Sequence, residues 1–383
     1  MRGVLAPGRA SGEGHHVPGR QPAEHLRVDR ALRPGEVFVG PVGNSPCLAR
    51  ILHRCTVSVR GGCAVKRTCA CLIVLFVVAC APARAVLPEY VLRDLGDLGF
   101  GMPSAVDINE LGQAVFTVVV GGDRFYLWDG SGLWEIQGVR GLGINDRGQV
   151  AATAPTLMQS YVWDGTLVEL PLSRALDINN AGHLIGIIND PYGAWLYAND
   201  ALSPLGDGVI PVAINNSDQI VGYVEINTVS RPIIWSGGSL QVLPFFGQGY
   251  GINDLGNIVG AGYIHGQLQP ARAFYWDGNT IHDLGRGTPY DVNDRGRVVG
   301  SIGPSGAGVW EDGHVAALPS FGAGLNSLAF AINNDGVIAG TAEEGFGHWH
   351  LVLWEPVPEP GSLPTLAFGA LSLAAVARRR CRR

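Results

Sequence analysis

Seven near-copies of one short segment, each built on an Ile-Asn or Val-Asn pair, divide the chain at almost even intervals. They read INELGQAV from Ile108, INDRGQVA from Ile144, INNAGHLIG from Ile178, INNSDQIVG from Ile214, INDLGNIVG from Ile252, VNDRGRVVG from Val292 and INNDGVIAG from Ile332. Their asparagines are Asn109, Asn145, Asn179, Asn215, Asn253, Asn293 and Asn333, with successive gaps of 36, 34, 36, 38, 40 and 40 residues. A fixed period of roughly 20–50 residues marks a repeat architecture, and the period here is about 37.

The chemistry of each copy is that of a turn followed by a strand. In Asn253-Asp254-Leu255-Gly256, Asn suits the first position of a type I turn, and Gly accepts the positive φ of a bulge that gives the hairpin its twist. The β-branched Asn257-Ile258-Val259-Gly260 then reads as a strand. About twenty residues beyond each turn asparagine comes an aromatic strand, such as Leu127-Trp128-Asp129-Gly130 or Tyr275-Trp276-Asp277-Gly278. A third strand ends in Leu-Gly or Leu-Pro, as at Leu205-Gly206 and Leu318-Pro319, and a short fourth, such as Ala175-Leu176-Asp177, precedes the next turn. Helical periodicity is missing throughout. The expectation is four short strands per unit, with Trp as the large core residue between neighbouring sheets.

Charge divides the chain into three parts. Val86 to Glu355 holds 10 Lys and Arg against 28 Asp and Glu, a net of −18, although the whole chain carries only −6. So acidic a body repels phosphate backbones, which excludes nucleic acid as a partner. All seven cysteines, Cys47, Cys55, Cys63, Cys69, Cys71, Cys80 and Cys381, lie outside this body. Disulfides and thiolate metal sites therefore cannot stabilise it, and packing and backbone pairing must.

Both ends carry sorting signals. Residues 65–85 place Lys66-Arg67 before an apolar run and end in Ala83-Arg84-Ala85, the order of a secretory signal peptide. Signal peptidase is expected to cut between Ala85 and Val86; the alternative is lipidation at Cys80, because Val77-Val78-Ala79-Cys80 resembles a lipobox. Residues 1–64 have no structural period and are assigned no fold; they read as disordered or mis-assigned upstream sequence, with Val65 as the start. At the other end, residues 357–383 run from Pro358-Glu359-Pro360 through an apolar stretch, Leu363 to Ala377, to Arg378-Arg379-Arg380.

This tail resembles the PEP-CTERM sorting signal of Gram-negative bacteria. The resemblance implies recognition by an exosortase, processing near Pro358, Glu359 and Pro360, and delivery to the cell surface or extracellular matrix. The apolar stretch is short beside the roughly 20 residues of a stable span, yet the arginines behind it would halt it in the inner membrane. It thus reads as a transient transmembrane helix, with a permanent tail anchor as the alternative. The units of 86–356 resemble HAF repeats, on the strength of the Ile-Asn-x-x-Gly turn, the Trp-Asp-Gly strand and the Asp-Leu-Gly ending. Arg272-Ala273-Phe274 stands for the eponymous His-Ala-Phe. That resemblance implies an extracellular repeat protein and brings no common catalytic residues with it. Asp218 in place of the turn Gly and Tyr197 in place of Trp predict slight irregularity in the fourth and third units.

Asp107-Ile108-Asn109, Asp177-Ile178-Asn179 and Asp291-Val292-Asn293 imitate the start of a calcium loop, but Leu111, Ala181 and Arg295 stand where an oxygen ligand belongs. Turn chemistry is the preferred reading. His348-Trp349-His350 puts two imidazoles on one strand face without a third ligand in view, which reads as a solvated pair. Glu311-Asp312 and Glu343-Glu344 read as a solvated acidic rim. Gly247-Gln248-Gly249-Tyr250-Gly251 precedes a turn rather than a helix and so fails as a dinucleotide loop. No catalytic residue, cofactor or metal ligand is nominated.

The ends of the array decide between ring and rod. Tyr90-Val91-Leu92-Arg93-Asp94-Leu95-Gly96 is an orphan ending before the first unit, and the seventh unit stops at Trp354 without one. A spare strand at one end and a missing strand at the other match an all-β, seven-bladed β-propeller whose N-terminal strand closes the last blade, with an open or differently wound β array as the alternative. The expected function is that of a non-catalytic exported surface or matrix protein that binds exopolysaccharide or surface proteins. A secreted propeller enzyme acting on glycans is the alternative.

Overall fold

The computed structural model describes residues 88–358, apart from 102, 120–122, 157, 191, 265–270, 304–305 and 323–325. Ala83, Ala85, Val86, Glu359 and Pro360 of the expected processing sites lie outside the described residues, while Pro358 is described and exposed. Among the described residues the chain forms twenty-eight strands, from β1 (Tyr90–Asp97) to β28 (His348–Pro356), and no α-helix. They make seven antiparallel sheets of four strands, and the architecture is the expected seven-bladed propeller.

Six blades are continuous in sequence: 103–136, 140–170, 174–206, 209–242, 246–285 and 288–317. The seventh combines residues 327–356 with β1, in the order β1, β28, β27 (Ile338–Gly345), β26 (Ser327–Ile332). Tyr90 pairs with Pro356, Leu92 with Trp354 and Asp97 with His350. The orphan segment seen in the sequence is therefore the outermost strand of the last blade, and the chain closes its own ring. Without it the outer backbone groups of β28 would form an unpaired edge.

Each blade starts on its innermost strand, which runs up to the turn asparagine. These strands are β2 (Pro103–Ile108), β6 (Arg140–Ile144), β10 (Arg174–Ile178), β14 (Val209–Ile214), β18 (Phe246–Ile252), β22 (Thr288–Val292) and β26. The strand that precedes each turn in sequence thus opens a blade. The turns are as expected: the N–H of the fourth residue donates to the asparagine carbonyl, for example Gly256 to Asn253 at 3.0 Å, with Gly256 at φ 80°. Asp218 takes the same left-handed conformation at φ 58°, so the fourth unit keeps its turn without glycine. The Trp-Asp-Gly segments form the outer hairpins, where Asp129 accepts the N–H groups of Ser131 and Gly132 and the indole N–H of Trp134.

In six inner strands one residue is skipped in the ladder: Leu142, Leu176, Val212, Tyr250, Tyr290 and Phe330. A bulge frees one residue from the pairing and re-aims its side chain. All six line a cavity on the axis of the wheel, together with Val106.

The core lies between blades. Trp354 is fully buried among Val299, Ala307, Val309 and Leu318 of the preceding blade, and its indole N–H donates to the Pro319 carbonyl at 2.7 Å. Trp310 repeats the arrangement one blade earlier, donating to Leu284 at 3.0 Å. An aromatic ring that fills the space between sheets and pins its polar edge to the neighbour's backbone fixes the spacing of two blades at once. Trp354→Ala is expected to cost about 3–5 kcal/mol, measured by urea unfolding; a loss below about 1 kcal/mol would contradict this role of the ring.

Candidate functional site

The seven asparagines form a closed ring. Each Nδ2 donates to the main-chain carbonyl of the next asparagine: Asn109 to Asn145, Asn145 to Asn179, Asn179 to Asn215, Asn215 to Asn253, Asn253 to Asn293, Asn293 to Asn333 and Asn333 back to Asn109. All seven distances fall at 2.9–3.1 Å. Each Oδ1 meanwhile accepts the N–H four residues on in its own turn, at 2.8–3.0 Å. All seven side chains are buried. One amide thus shapes its own hairpin with its oxygen and holds the next blade with its nitrogen, which the turn reading of these residues did not foresee.

A second ring lies beside the first, formed by the residues that follow the asparagines. The main-chain N–H of each donates to a side-chain oxygen of the next, in the order Glu110, Asp146, Asn180, Asn216, Asp254, Asp294, Asn334 and back to Glu110, at 2.8–3.2 Å. Amide side chains clamp carboxylates within it: Asn216 donates to Asp254 and Asn334 to Asp294, each at 2.8 Å, and Asn180 donates to Asp146. Four carboxyl groups are therefore gathered at the turn end of the axis, each already holding a neighbour's backbone.

Below these rings stand Asp107, Asp177 and Asp291, on blades 1, 3 and 6. Each uses Oδ1 to accept the next residue's N–H and Oδ2 to accept an N–H of the following blade: Ile144, Ile214 and Ile332 respectively, at 2.8–2.9 Å. They are inter-blade staples. The corresponding positions elsewhere are Gly143, Ala213, Gly251 and Ala331. A Cβ on Gly143 would sit 2.4 Å from an Asp177 oxygen, so glycine there makes room for the staple.

An axial cavity of about 260 Å³ lies in front of these three half-buried carboxyl groups. Burial pushes Asp107 up to about 6 and Asp291 up to about 7, and raises Asp177 well above the usual carboxylate range. The backbone N–H bonds pull the other way and do not outweigh burial, while the charge of Asp107 adds to the rise at both Asp177 and Asp291. Clefts holding carboxyl groups that titrate near neutrality are candidate functional sites.

Of the three pairs read as solvated in the sequence, one member of each, His350, Glu311 and Glu343, is engaged, while Asp312 and Glu344 are exposed. His350 is buried at the closing seam, its Nδ1 3.0 Å from Asp94 and its Nε2 3.3 Å from Glu344. Its neighbour on the same face, His348, remains exposed beside Asp97 at 3.7 Å. Glu311 forms a bidentate pair with buried Arg297 at 2.9 Å, and Arg297 also reaches the Tyr90 hydroxyl of the closing strand at 3.4 Å. Glu343 is likewise engaged, accepting from Asn326 Nδ2 and the Gly347 N–H. Glu311 and Glu343 are thus held by groups of their own blades, and the closing strand joins these contacts through the Tyr90 hydroxyl and the Asp94 carboxylate.

No protein-family model and no curated protein matches the sequence. Among solved structures the fold is similar to a streptogramin B lyase, at 14% identity and TM-score 0.51 over 70% of this chain and 98% of that one. It is also similar to a virginiamycin B lyase from Staphylococcus aureus, at 13% identity and TM-score 0.51 over 69% and 99%. The β-propeller domain of the Trilobed protease from Pyrococcus furiosus matches at 13% identity and TM-score 0.50 over 68% and 94%. At such identities the likeness is one of fold alone. Among the described residues no helix is long and apolar enough to cross a membrane; the apolar run of the tail lies outside them.

A carboxyl group whose pKa is higher in the folded chain than in the unfolded one holds its proton better when folded, so stability falls as pH rises between the two values. For Asp107 and Asp291 that window runs from the ordinary aspartate value of 3.8 up to about 6 and about 7. Asp291→Asn gives up one N–H acceptor but removes a charge forced into the cavity. Its melting temperature relative to the parent is therefore expected to rise steadily between about pH 4 and pH 7 and to level off above. A constant difference across that range would contradict the raised pKa.

Proposed function

We propose that the protein is a non-catalytic, exported surface or matrix propeller, a rigid acidic wheel that presents its faces to extracellular polysaccharide or neighbouring surface proteins. In this reading signal peptidase acts at Ala83-Arg84-Ala85, and an exosortase-type enzyme acts at Pro358-Glu359-Pro360 after transient anchoring in the inner membrane. The observation that carries the non-catalytic part is the engagement of the axial carboxyl groups. Each oxygen of Asp107, Asp177 and Asp291 already accepts a backbone N–H, so these groups brace the wheel. A general acid or base needs its proton within hydrogen-bond reach of a substrate, and bonds that hold two blades together oppose that freedom.

A second reading is favoured by one observation. Asp107 and Asp291 titrate near neutrality inside a shared cavity, and glycan-cleaving enzymes use paired carboxyl groups with separated proton affinities. Incubating residues 86–356 with the polysaccharide secreted by the producing cells separates the two readings. The favoured one predicts binding with unchanged chain length. Shortening of the chains that Asp291→Asn abolishes would establish the other.

A further inference from the structure

The residue three positions before each turn asparagine is aliphatic in the first four blades, Val106, Leu142, Leu176 and Val212, and aromatic in the last three, Tyr250, Tyr290 and Phe330. All seven line the axial cavity, so the repeat is broken on one side of the channel only. The rings of Tyr290 and Phe330 lie 5.2 Å apart at 34°. Tyr250 donates its hydroxyl to Gln248 Oε1 at 3.0 Å, and Gln248 in turn donates to Ser230 Oγ at 3.2 Å.

Tyr250, Tyr290 and Phe330 therefore form an arc over three consecutive blades along one side of the cavity. Packing between blades does not require it, because the equivalent position is filled by Leu or Val in the other four.

We propose that this arc binds the end of a linear polysaccharide, with pyranose rings entering the axial cavity against its aromatic side. This rests on the reading of the protein as a surface or matrix component and names the ligand class and the site. A sugar ring offers an apolar C–H face and a rim of hydroxyls. Tyr faces match the first, and the Gln248 amide and the phenol hydroxyls match the second. One aromatic group per blade across neighbouring blades suits a polymer with a repeating unit.

The substitutions that test this are ones the fold itself supplies: Tyr250→Leu and Tyr290→Leu install the side chain that blades 2 and 3 carry at the same bulge. Affinity electrophoresis of residues 86–356 in gels containing a soluble β-glucan, an alginate or the producer's own secreted polysaccharide gives the readout. At least one gel is expected to retard the parent, and each Leu variant to bind it roughly tenfold more weakly. Trp134→Ala, which removes an exposed ring on the outer strand of blade 1, is expected to bind as the parent does. Unfolding curves of the Leu variants that overlay the parent's exclude a folding defect. Equal retardation of parent and Leu variants would overturn this role of the arc while leaving the surface-protein reading intact. Failure of all three gels to retard the parent, or binding of a peptide library in their place, would also overturn it. Shortened polysaccharide would instead overturn the non-catalytic reading.

Discussion

The hydrogen bond from each turn asparagine to the main chain of the next blade is the interaction on which the rest of the wheel depends. Seven such bonds close on themselves when Asn333 donates to Asn109, 224 residues away in sequence. A closed ring constrains more than an open row, because no blade can tilt without stretching the bonds on both of its sides. The amide is needed for this. Aspartate or serine would cap the turn equally well, but neither carries the two N–H donors and the acceptor that the position uses at once. In a buried setting an unmet carbonyl costs about 1–3 kcal/mol, so every link is defended by the two blades it joins.

Other devices repeat this logic with different chemistry. The ring from Glu110 to Asn334 uses backbone N–H donors and side-chain acceptors, and its single Glu, one methylene longer than Asp, stands where blade 7 meets blade 1. Asp107, Asp177 and Asp291 add three staples, and burial raises the pKa of each carboxyl group. At the seam, Arg297, Glu311 and Tyr90 tie the sixth blade to the closing strand, and His350 with Asp94 ties the seventh. The two rings crowd the turn side of the axis with bonds between blades, and the aromatic arc lines the same axial cavity, where recognition is assigned.

Much of this was legible in the chain because period and turn chemistry are local. The spacing of Asn109 to Asn333 counts the blades, and the orphan strand Tyr90–Asp97 shows how they close. What the repeat hides is contact between units. Nothing in one copy of Ile-Asn-x-x-Gly says that the amide reaches its neighbour, although the use of asparagine in all seven copies was a usable sign. The three aspartates escaped because they occupy blades 1, 3 and 6 without a period, and each looked like part of its own turn. His350 read as solvated because its partners Asp94 and Asp97 lie more than 250 residues earlier. The aromatic arc was visible as a departure from the repeat at Tyr250, Tyr290 and Phe330, but its meaning required the bulge that turns those side chains toward the axis.

The central claim is that the asparagine amides are structural bonds between blades. It is tested most directly by hydrogen exchange of the seven Asn side-chain NH2 groups, observed by NMR with Asn-selective 15N labelling of residues 86–356. Amide protons held in buried inter-blade bonds exchange only when the blades separate, so all seven are predicted to exchange far more slowly than Asn227 and Asn279, which lie on exposed turns, and at rates close to one another. Exchange of any of the seven at the rate of those exposed amides would show that its link is not made, and the closed ring would fail with it.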